Sequence, residues 1–444
     1  MTLAVVFEEA AATAGELVTA LESCGDVVFA IGADDPYARR FEPLLSTAGT
    51  VLTLSGDTRA DADRLRAAGV RGIMPIGDWG VGVAAGTAAE LGLPFNSPDC
   101  ARALTDKHTQ RTLLDRARAG GPGHMLVRTP ADWDTAVKSL ALPLVVKPSR
   151  GRGSRNTRLV HTAEAGRDLV TRLLDATRTG HEPALVAEEY LTGTRTHPFG
   201  DYVSVESVCR GTSVRHLGVT GKLPLVPPFR ETGQFLPAAL PAGTRREVEE
   251  LTEVALRALG VRHGVTHTEI KLTDRGPRII EVNGRLGGNL VDLYRRGLGL
   301  DMIQVAARAA LGQPLPAPDP APAGRTVFQY YSQPPLDAAG LTAVRGVRSF
   351  LPRENIDSYS QFVRPGSELP GDLRSVFLDR VAGTADSPRA VDGVLAACLP
   401  ELEFTFAGPD GETVVDAAAL RELNSRAGAR RLSPVSEGAE GCEQ

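Results

Sequence analysis

Long apolar runs are missing from this chain of 444 residues, so no segment is expected to span a bilayer. Its first residues, Met1 to Glu9, put no basic segment ahead of the apolar ones, so no signal peptide is expected. Charge of one sign is also missing. Lys and Arg number 49 against 54 Asp and Glu, a formal net charge of -5, and no strong field favours nucleic acid or an anionic membrane. Cysteine is scarce. Cys24, Cys100, Cys209, Cys398 and Cys442 are odd in number, scattered and free of CxxC spacing. That pattern suits a reducing cytoplasm and argues against a structural zinc site. Cys209 reads as a buried free thiol in a strand rather than a nucleophile. No internal repeat is visible. No dinucleotide fingerprint follows the first apolar strand, where Glu8-Glu9 stand instead, so NAD binding is not expected.

What is present is ordinary for a globular protein: 42% hydrophobic and 23% charged residues. The length allows about two to four packed domains. Residues 1–95 alternate apolar strands (3–7, 26–31, 51–54, 72–76) with helices (10–23, 37–47, 60–68, 84–91). That alternation predicts a parallel sheet covered on both faces. Residues 96–128 read as a helical link with a return strand. Residues 129–194 read as a small unit: a helix at 131–140, strands at 144–147, 158–160 and 185–188, and a helix opened by Thr162 as N-cap. Residues 195–312 read as a larger mixed unit, 313–325 as a Pro-rich linker, 326–431 as a last α+β domain, and 432–444 as a disordered tail.

The densest chemistry lies at 264–288. Thr266, Thr268, Ile270 and Leu272 alternate with His267, Glu269 and Lys271, and Asp274-Arg275-Gly276-Pro277 turns the chain. Glu281 and Asn283 are two residues apart in the returning strand and must share a face. With Glu269 they offer two carboxylates and an amide oxygen, a set suited to Mg²⁺ that also holds nucleotide phosphates. Arg285 follows, where it could neutralise a transferred phosphoryl group. A solvated face with weak ion pairs would read much the same.

Other segments keep it company. Lys107 opens a helix, and Lys147 ends the apolar strand Leu144-Val145-Val146 before Pro148. A lysine at a strand end beside a glycine loop can meet phosphate as a point charge. The loop 149–156 carries Gly151, Gly153 and Ser154 and is nearly GxGxxG, with Asn156 in the last slot; Asn tolerates positive φ, so the backbone could still turn there. A strand follows it, so the loop reads as a hairpin lid over phosphates rather than a P-loop; a mobile basic surface loop is the plain alternative. Glu188-Glu189-Tyr190-Leu191 ends a strand and could present its main chain to an adenine edge, as an ordinary strand end could also appear to do. Glu206 points with Ser204, toward a cleft or toward solvent. Residues 221–237 are too rich in proline for a helix or an inner strand and read as a long functional or covering loop. Within it Glu231 and Gln234 could recognise a substrate ammonium and carboxylate.

In this order, Lys107, Lys147 with its glycine loop, Glu188 to Leu191, Glu269, and Glu281-Val282-Asn283-Gly284-Arg285 resemble the ATP-grasp superfamily. The Pro-Pro-Phe loop at 227–229, Thr-His-Thr-Glu at 266–269, Arg-Leu-Gly-Gly at 285–288 and Arg364-Pro365-Gly366 resemble, within it, the L-amino acid ligases that join amino acids into dipeptides. The resemblance covers nearly the whole chain. It implies an ATP-grasp fold, α/β and α+β in several domains, with a parallel N-terminal domain and a C-terminal α+β domain.

It further implies ATP and Mg²⁺, one ion or two, with Mn²⁺ able to substitute. Lys107, Lys147, Gly151, Gly153, Ser154, Glu188, Glu189 and Leu191 would bind ATP, and Asp201 the ribose. Glu269, Glu281 and Asn283 would hold metal. Arg285 and Lys147 would be catalytic. Glu231, Gln234, Arg285, Gly287, Gly288 and Asn289 would line the substrate site. Two departures stand out: Gln234 occupies a place that is often His, and the segment before Asp201 is long. The implied activity is an acyl-phosphate ligation of a small-molecule carboxylate and an amine, in the cytoplasm and in secondary metabolism. No nucleic acid or membrane partner is expected, and a homodimer is left open. An ATP-grasp enzyme with another acceptor, a carboxylase, and a nucleotide-binding module without chemistry remain alternatives; no biotin-type Met-Lys-Met is present.

Overall fold

The computed structural model describes residues 1–178, 180–319, 324–351, 353–370, 374–409 and 411–432. Apart from Leu432, the tail expected at 432–444 lies outside these residues, as do several residues of the Pro-rich linker.

The N-terminal unit has a four-stranded sheet in the order Thr50–Leu54, Val27–Gly32, Thr2–Phe7, Val70–Pro75. All three pairings are parallel. The central strand is wholly apolar from Leu3 to Phe7 and fully buried, because helices cover both faces. Its Leu, Val and Phe side chains each contribute roughly 1.5–3 kcal/mol on burial. Two helix starts differ from expectation. The first helix begins at Ala14 rather than residue 10, since Thr13 and Glu16 form a capping box there. The fourth begins at Asp78 rather than residue 84. Gly80 and Gly82 lower helix propensity in its first turns and hid it from the sequence pattern.

The small unit is an antiparallel sheet in the order His124–Val127, Leu185–Glu189, Leu144–Pro148, Arg158–Val160, covered by helices Pro130–Ser139 and Ala163–Leu174. Its edge strand His124–Val127 comes from the segment read as a link. Trp133 fills the core, and a Cβ on Gly166 would sit 1.9 Å from its ring. Gly166→Ala would therefore force these two helices apart.

The large sheet has eight strands in the order Gly276–Asn283, His263–Thr273, Tyr202–Arg210, Ser213–Lys222, Gly233–Leu236, Thr326–Tyr330, Asp379–Ala385, Ile356–Gln361. Two expectations are corrected here. Residues 221–237 do contain an inner strand, Gly233–Leu236, paired on both edges. Its four residues hold no proline; the prolines lie in the crossing before it and at Pro237. The Pro-rich linker also does not divide one sheet from another. Thr326–Tyr330 returns to the sheet that carries the acidic hairpin. Proline marks backbone that cannot join a ladder, not where the chain goes next. A separate four-stranded sheet (Ser367–Glu368, Gly340–Arg345, Glu403–Gly408, Gly411–Asp416) completes the C-terminal region. Among the described residues no helix is long and apolar enough to cross a membrane.

Candidate active site

Around the acidic hairpin the large sheet is apolar on one face and polar on the other, because side chains alternate along each strand. Val203, Val205, Ile270 and Val282 take the apolar face, in a core shared with helix Ala242–Ala258. Ile270→Ala there should cost about 2–5 kcal/mol. On the other face strand register builds a grid. Glu281, Glu269, Ser204 and Thr220 stand side by side across four strands. In the next row stand Asn283, His267, Glu206 and Gly218. Lys222, next on that face of the strand of Thr220, and Gln234 and Gln329 on the two following strands continue the face. The bend at Asp274-Arg275, closed by pairing of Thr273 with Gly276, sets Ile270 opposite Ile279, and a register shift between Glu269 and Ile270 then brings Glu269 opposite Glu281.

Two carboxylates directly opposite each other repel. Here cations balance them. Lys107 Nζ lies 2.9 Å from Glu281 Oε1. His267 Nε2 lies 3.4 Å from Glu269 Oε1, and its Nδ1 lies 2.7 Å from Glu206. Burial would lower the His267 imidazolium, but Glu206 and Glu269 outweigh it and raise it to about 9. Burial would raise Glu269, but His267 outweighs it and holds the carboxyl at about 2. The pair with Asn283 Oδ1 beside it therefore fits a hard divalent cation. Among the described residues no group of three or more His, Cys, Asp or Glu could hold a metal. A cation here would complete its shell with Asn283, phosphate oxygens and water.

The small unit roofs this face. Lys147 is buried with its Nζ 2.8 Å from Glu188 Oε2. Arg111 donates to Glu188 through Nε at 2.9 Å and through a terminal nitrogen at 3.3 Å. Burial alone would raise Glu188, but Arg111 and Lys147 hold it at about 2. Burial works the other way on Lys147, lowering its ammonium, with Glu188 opposing; one carboxylate between two cations keeps the triad charged. This corrects the expectation that Glu188 faces adenine. Its carboxylate is an internal counter-ion, and its backbone lies in a strand paired on both edges. Glu189 accepts from the Gly123 amide through its side chain. Leu191, just past the strand, makes no hydrogen bond among the described residues, so its main chain is free to meet a base edge.

The glycine loop adopts the backbone its residues allow. Gly153, Ser154 and Asn156 have φ of 63°, 56° and 54°. Lys107 Nζ donates to the Gly151 carbonyl at 2.8 Å, tying the loop to the acidic hairpin. Arg155 and Asn156 are held by the buried Glu182. Asp201 pairs with Lys271 Nζ at 2.7 Å and stays partly exposed. Glu231 keeps its carboxylate clear of any donor among the described residues, while its peptide is held by Gln333 and Ser375.

Gln234 differs from expectation. It is 2% exposed, and Lys222 Nζ donates to its Oε1 while its Nε2 lies within 3.2 Å of Gly288 O, Gln329 Oε1 and Tyr331 Oη. An amide nitrogen has two protons, so none is left for a substrate. Gln234 orients Lys222 and the Gly288 carbonyl instead. Gly287 must lack a side chain, since a Cβ would lie 2.5 Å from His267 Nδ1. Gly288 faces open space, and Asn289 takes φ of 58° before helix Leu290–Leu298.

Sequence reasoning missed several residues. Asp78 accepts from Arg285 Nε at 2.8 Å and brings the N-terminal unit to the site. Burial would raise Asp78, but Arg285 outweighs it and lowers the carboxyl. Arg285 also donates to Leu286 O at 2.9 Å and to Asn283 Oδ1 at 3.4 Å. Glu8 accepts from Gly80 N and lies 3.7 Å from Arg152 in the glycine loop. Lys222 is 3% exposed beside Tyr202, whose hydroxyl, like that of Ser204, has no partner among the described residues. Alternation of Thr220 and Lys222 along their strand was the one available signal. Cys209 is buried, and burial pushes its thiol up to about 12, which makes it inert.

A lysine-bearing small sheet over a two-carboxylate hairpin defines an ATP-grasp fold, and residues 140–292 match the ATP-grasp domain family. Within that class the chain resembles amino acid ligases. It is 28% identical over 229 residues to alanine–anticapsin ligase of Bacillus subtilis strain 168, covering 48% of each chain. It is 33% identical over 283 residues to carnosine synthase 1 of Gallus gallus, covering 59% of this chain and 30% of that one. The matches thus span about half of those relatives' length or less. The structure of L-amino acid ligase from Bacillus licheniformis superposes with a TM-score of 0.71 at 22% identity, covering 90% of this chain and 97% of that one. That likeness concerns the fold.

Proposed function

We propose that this protein is an ATP-dependent carboxylate–amine ligase, joining amino acids or amino-acid-like substrates through an acyl phosphate. The observation that supports it most is Glu269 opposite Glu281, with Asn283 one step on and Lys107 bridging to the glycine loop. The names of its relatives, alanine–anticapsin ligase and L-amino acid ligase, support amino acids as substrates.

In this reading Lys107 and Lys147 neutralise the nucleotide phosphates, and the amides of Gly151, Gly153 and Ser154 close over them. Leu191, with Glu189 beside it, offers main chain to adenine, and Asp201 takes the ribose. Glu269, Glu281 and Asn283 would hold one or two Mg²⁺ ions, or Mn²⁺ in their place, which when bound neutralise charge on the phosphates. A carboxylate oxygen of the acid attacks the γ-phosphorus in line and ADP leaves. Arg285, aimed by Asp78, holds the acyl phosphate and then steadies the oxyanion as the amine nitrogen attacks the acyl carbon. The nitrogen loses a proton and phosphate leaves. Glu231, with no donor on its carboxylate among the described residues, takes a substrate ammonium. Gly287, Gly288 and Asn289 leave room at the turn beside Arg285. The closed loop keeps water from the acyl phosphate.

The test is phosphate release from Mg²⁺ and ATP across amino acids singly and in pairs, with mass spectrometry on positive wells. A product lighter by one water than the pair establishes the ligase. Failure to bind ATP at all would sink the assignment of Lys107, Lys147 and the hairpin.

A further inference from the structure

The C-terminal region of the chain touches both loops of the site through one residue. Ser375 donates its backbone N–H to the carbonyl of Gly153, at the tip of the glycine loop, at 3.0 Å. Its hydroxyl oxygen accepts the backbone N–H of Glu231 at 3.2 Å. The other side of the Glu231 peptide is held as well: Gln333 Nε2 donates to the Glu231 carbonyl at 2.5 Å. Gln333 Oε1 accepts from Val376 N at 3.0 Å, which locks the segment carrying Ser375 to the same glutamine. Arg230 anchors the loop from below, donating to Pro334 O at 2.6 Å and to Asn424 Oδ1 at 2.9 Å. Asn424 in turn donates to Gln333 O at 2.8 Å. Phe377, two residues beyond Ser375, packs on Tyr331 with ring centroids 4.5 Å apart.

These bonds are not needed to build either element. The glycine loop is set by Glu182, Lys107 and its own left-handed residues. The substrate loop is set by Arg230 and its pairing with Val226. What the Ser375 bonds add is a link between them. When the glycine loop sits over the phosphates, the peptide bearing the Glu231 carboxylate is fixed in place, and the reverse holds too. Two sites joined through one shared contact favour each other's ordered state.

We propose that Ser375 is a positioning residue that couples closure of the glycine loop to ordering of the Glu231 loop, so that the acid is activated only when the substrate site is formed. The inference rests on the ligase reading above. Without the link the loop still closes on ATP, but less tightly, while the substrate site is slack. Water then attacks the acyl phosphate, giving back the acid and phosphate, and ATP is consumed with no amide formed.

The test uses the full-length protein with Ser375→Ala, which removes the acceptor for Glu231 N and keeps the N–H, and Ser375→Thr, which restores the hydroxyl. The first readout is phosphate released per amide formed. The second needs no ligation: trypsin cleavage at Arg150, Arg152 and Arg155 in the glycine loop with Mg²⁺ and ATP bound. Ser375→Ala should raise the phosphate-to-amide ratio and the cleavage rate by about fivefold, the weight of one hydrogen bond, and Ser375→Thr should return both. Cleavage in Ser375→Ala equal to that of the parent overturns the coupling, whatever the ratio. If the parent makes no amide with any pair yet Ser375→Ala loosens the loop, the ligase reading falls and the coupling stands.

Discussion

Glu188→Gln should destabilise the small unit by about 3–5 kcal/mol, because it leaves two buried cations facing each other. Glu188, Arg111 and Lys147 are 4%, 2% and 7% exposed, so solvent screens them little. Holding the Glu188 carboxyl at about 2 instead of 4.5 corresponds to about 3 kcal/mol of stability at neutral pH. The sign follows from the lowered value. That stability is present above about 4.5 and lost as pH falls through about 2, so the penalty of Glu188→Gln should be flat from pH 5 to 8. Arg111→Leu removes one cation and leaves Lys147 and Glu188 as a neutral pair. It should cost less. Urea unfolding followed by tryptophan fluorescence reads this unit directly, because of the two tryptophans Trp133 is fully buried in its core. Trp79, in the N-terminal unit, is 44% exposed and is silenced by Trp79→Phe in all variants. A cost of Glu188→Gln below about 1 kcal/mol, or a larger cost for Arg111→Leu, would refute the argument that the triad's charge balance holds this unit.

Asp379 is fully buried, and burial pushes its carboxyl up to about 6 from 3.8. Its contribution is therefore lost as pH rises through 6, about 3 kcal/mol in all. Asp379→Asn, which keeps an acceptor for Ser332 N, should melt above the parent at pH 8 and match it at pH 4; equal melting at both values would discount the buried charge. Arg285→Ala should lower turnover by about 10²–10³-fold and change ATP affinity less, as seen by calorimetry against steady-state rates. Glu231→Gln should raise the KM for the ammonium-bearing substrate by about ten- to a hundredfold and leave the KM for ATP near its parent value.

Much of the site was legible because it is local. Glu281 and Asn283 share a face from their spacing alone, whereas the meeting of Glu269 with Glu281 depends on a register shift between Glu269 and Ile270 that neither spacing nor the turn reveals. Thr162 as N-cap, the strand Arg158–Val160 and the left-handed Asn156 also follow from short-range chemistry. The strand Gly233–Leu236 did not, because prolines around it masked four residues that take their strand state from neighbours on both edges. The helix start at Asp78 was hidden by glycines. Asp78 on Arg285, Arg111 on Glu188, Lys222 on Gln234 and Ser375 between two loops lay beyond the reach of spacing. Their partners stand 207, 77, 12, and 144 residues away for the Glu231 bond. Residue order constrains what a side chain can do within a turn or a hairpin. Which distant charge balances it, and whether its amide is already used up, is decided only when separate units pack, since a buried polar group must take its partner from whatever the fold brings within reach.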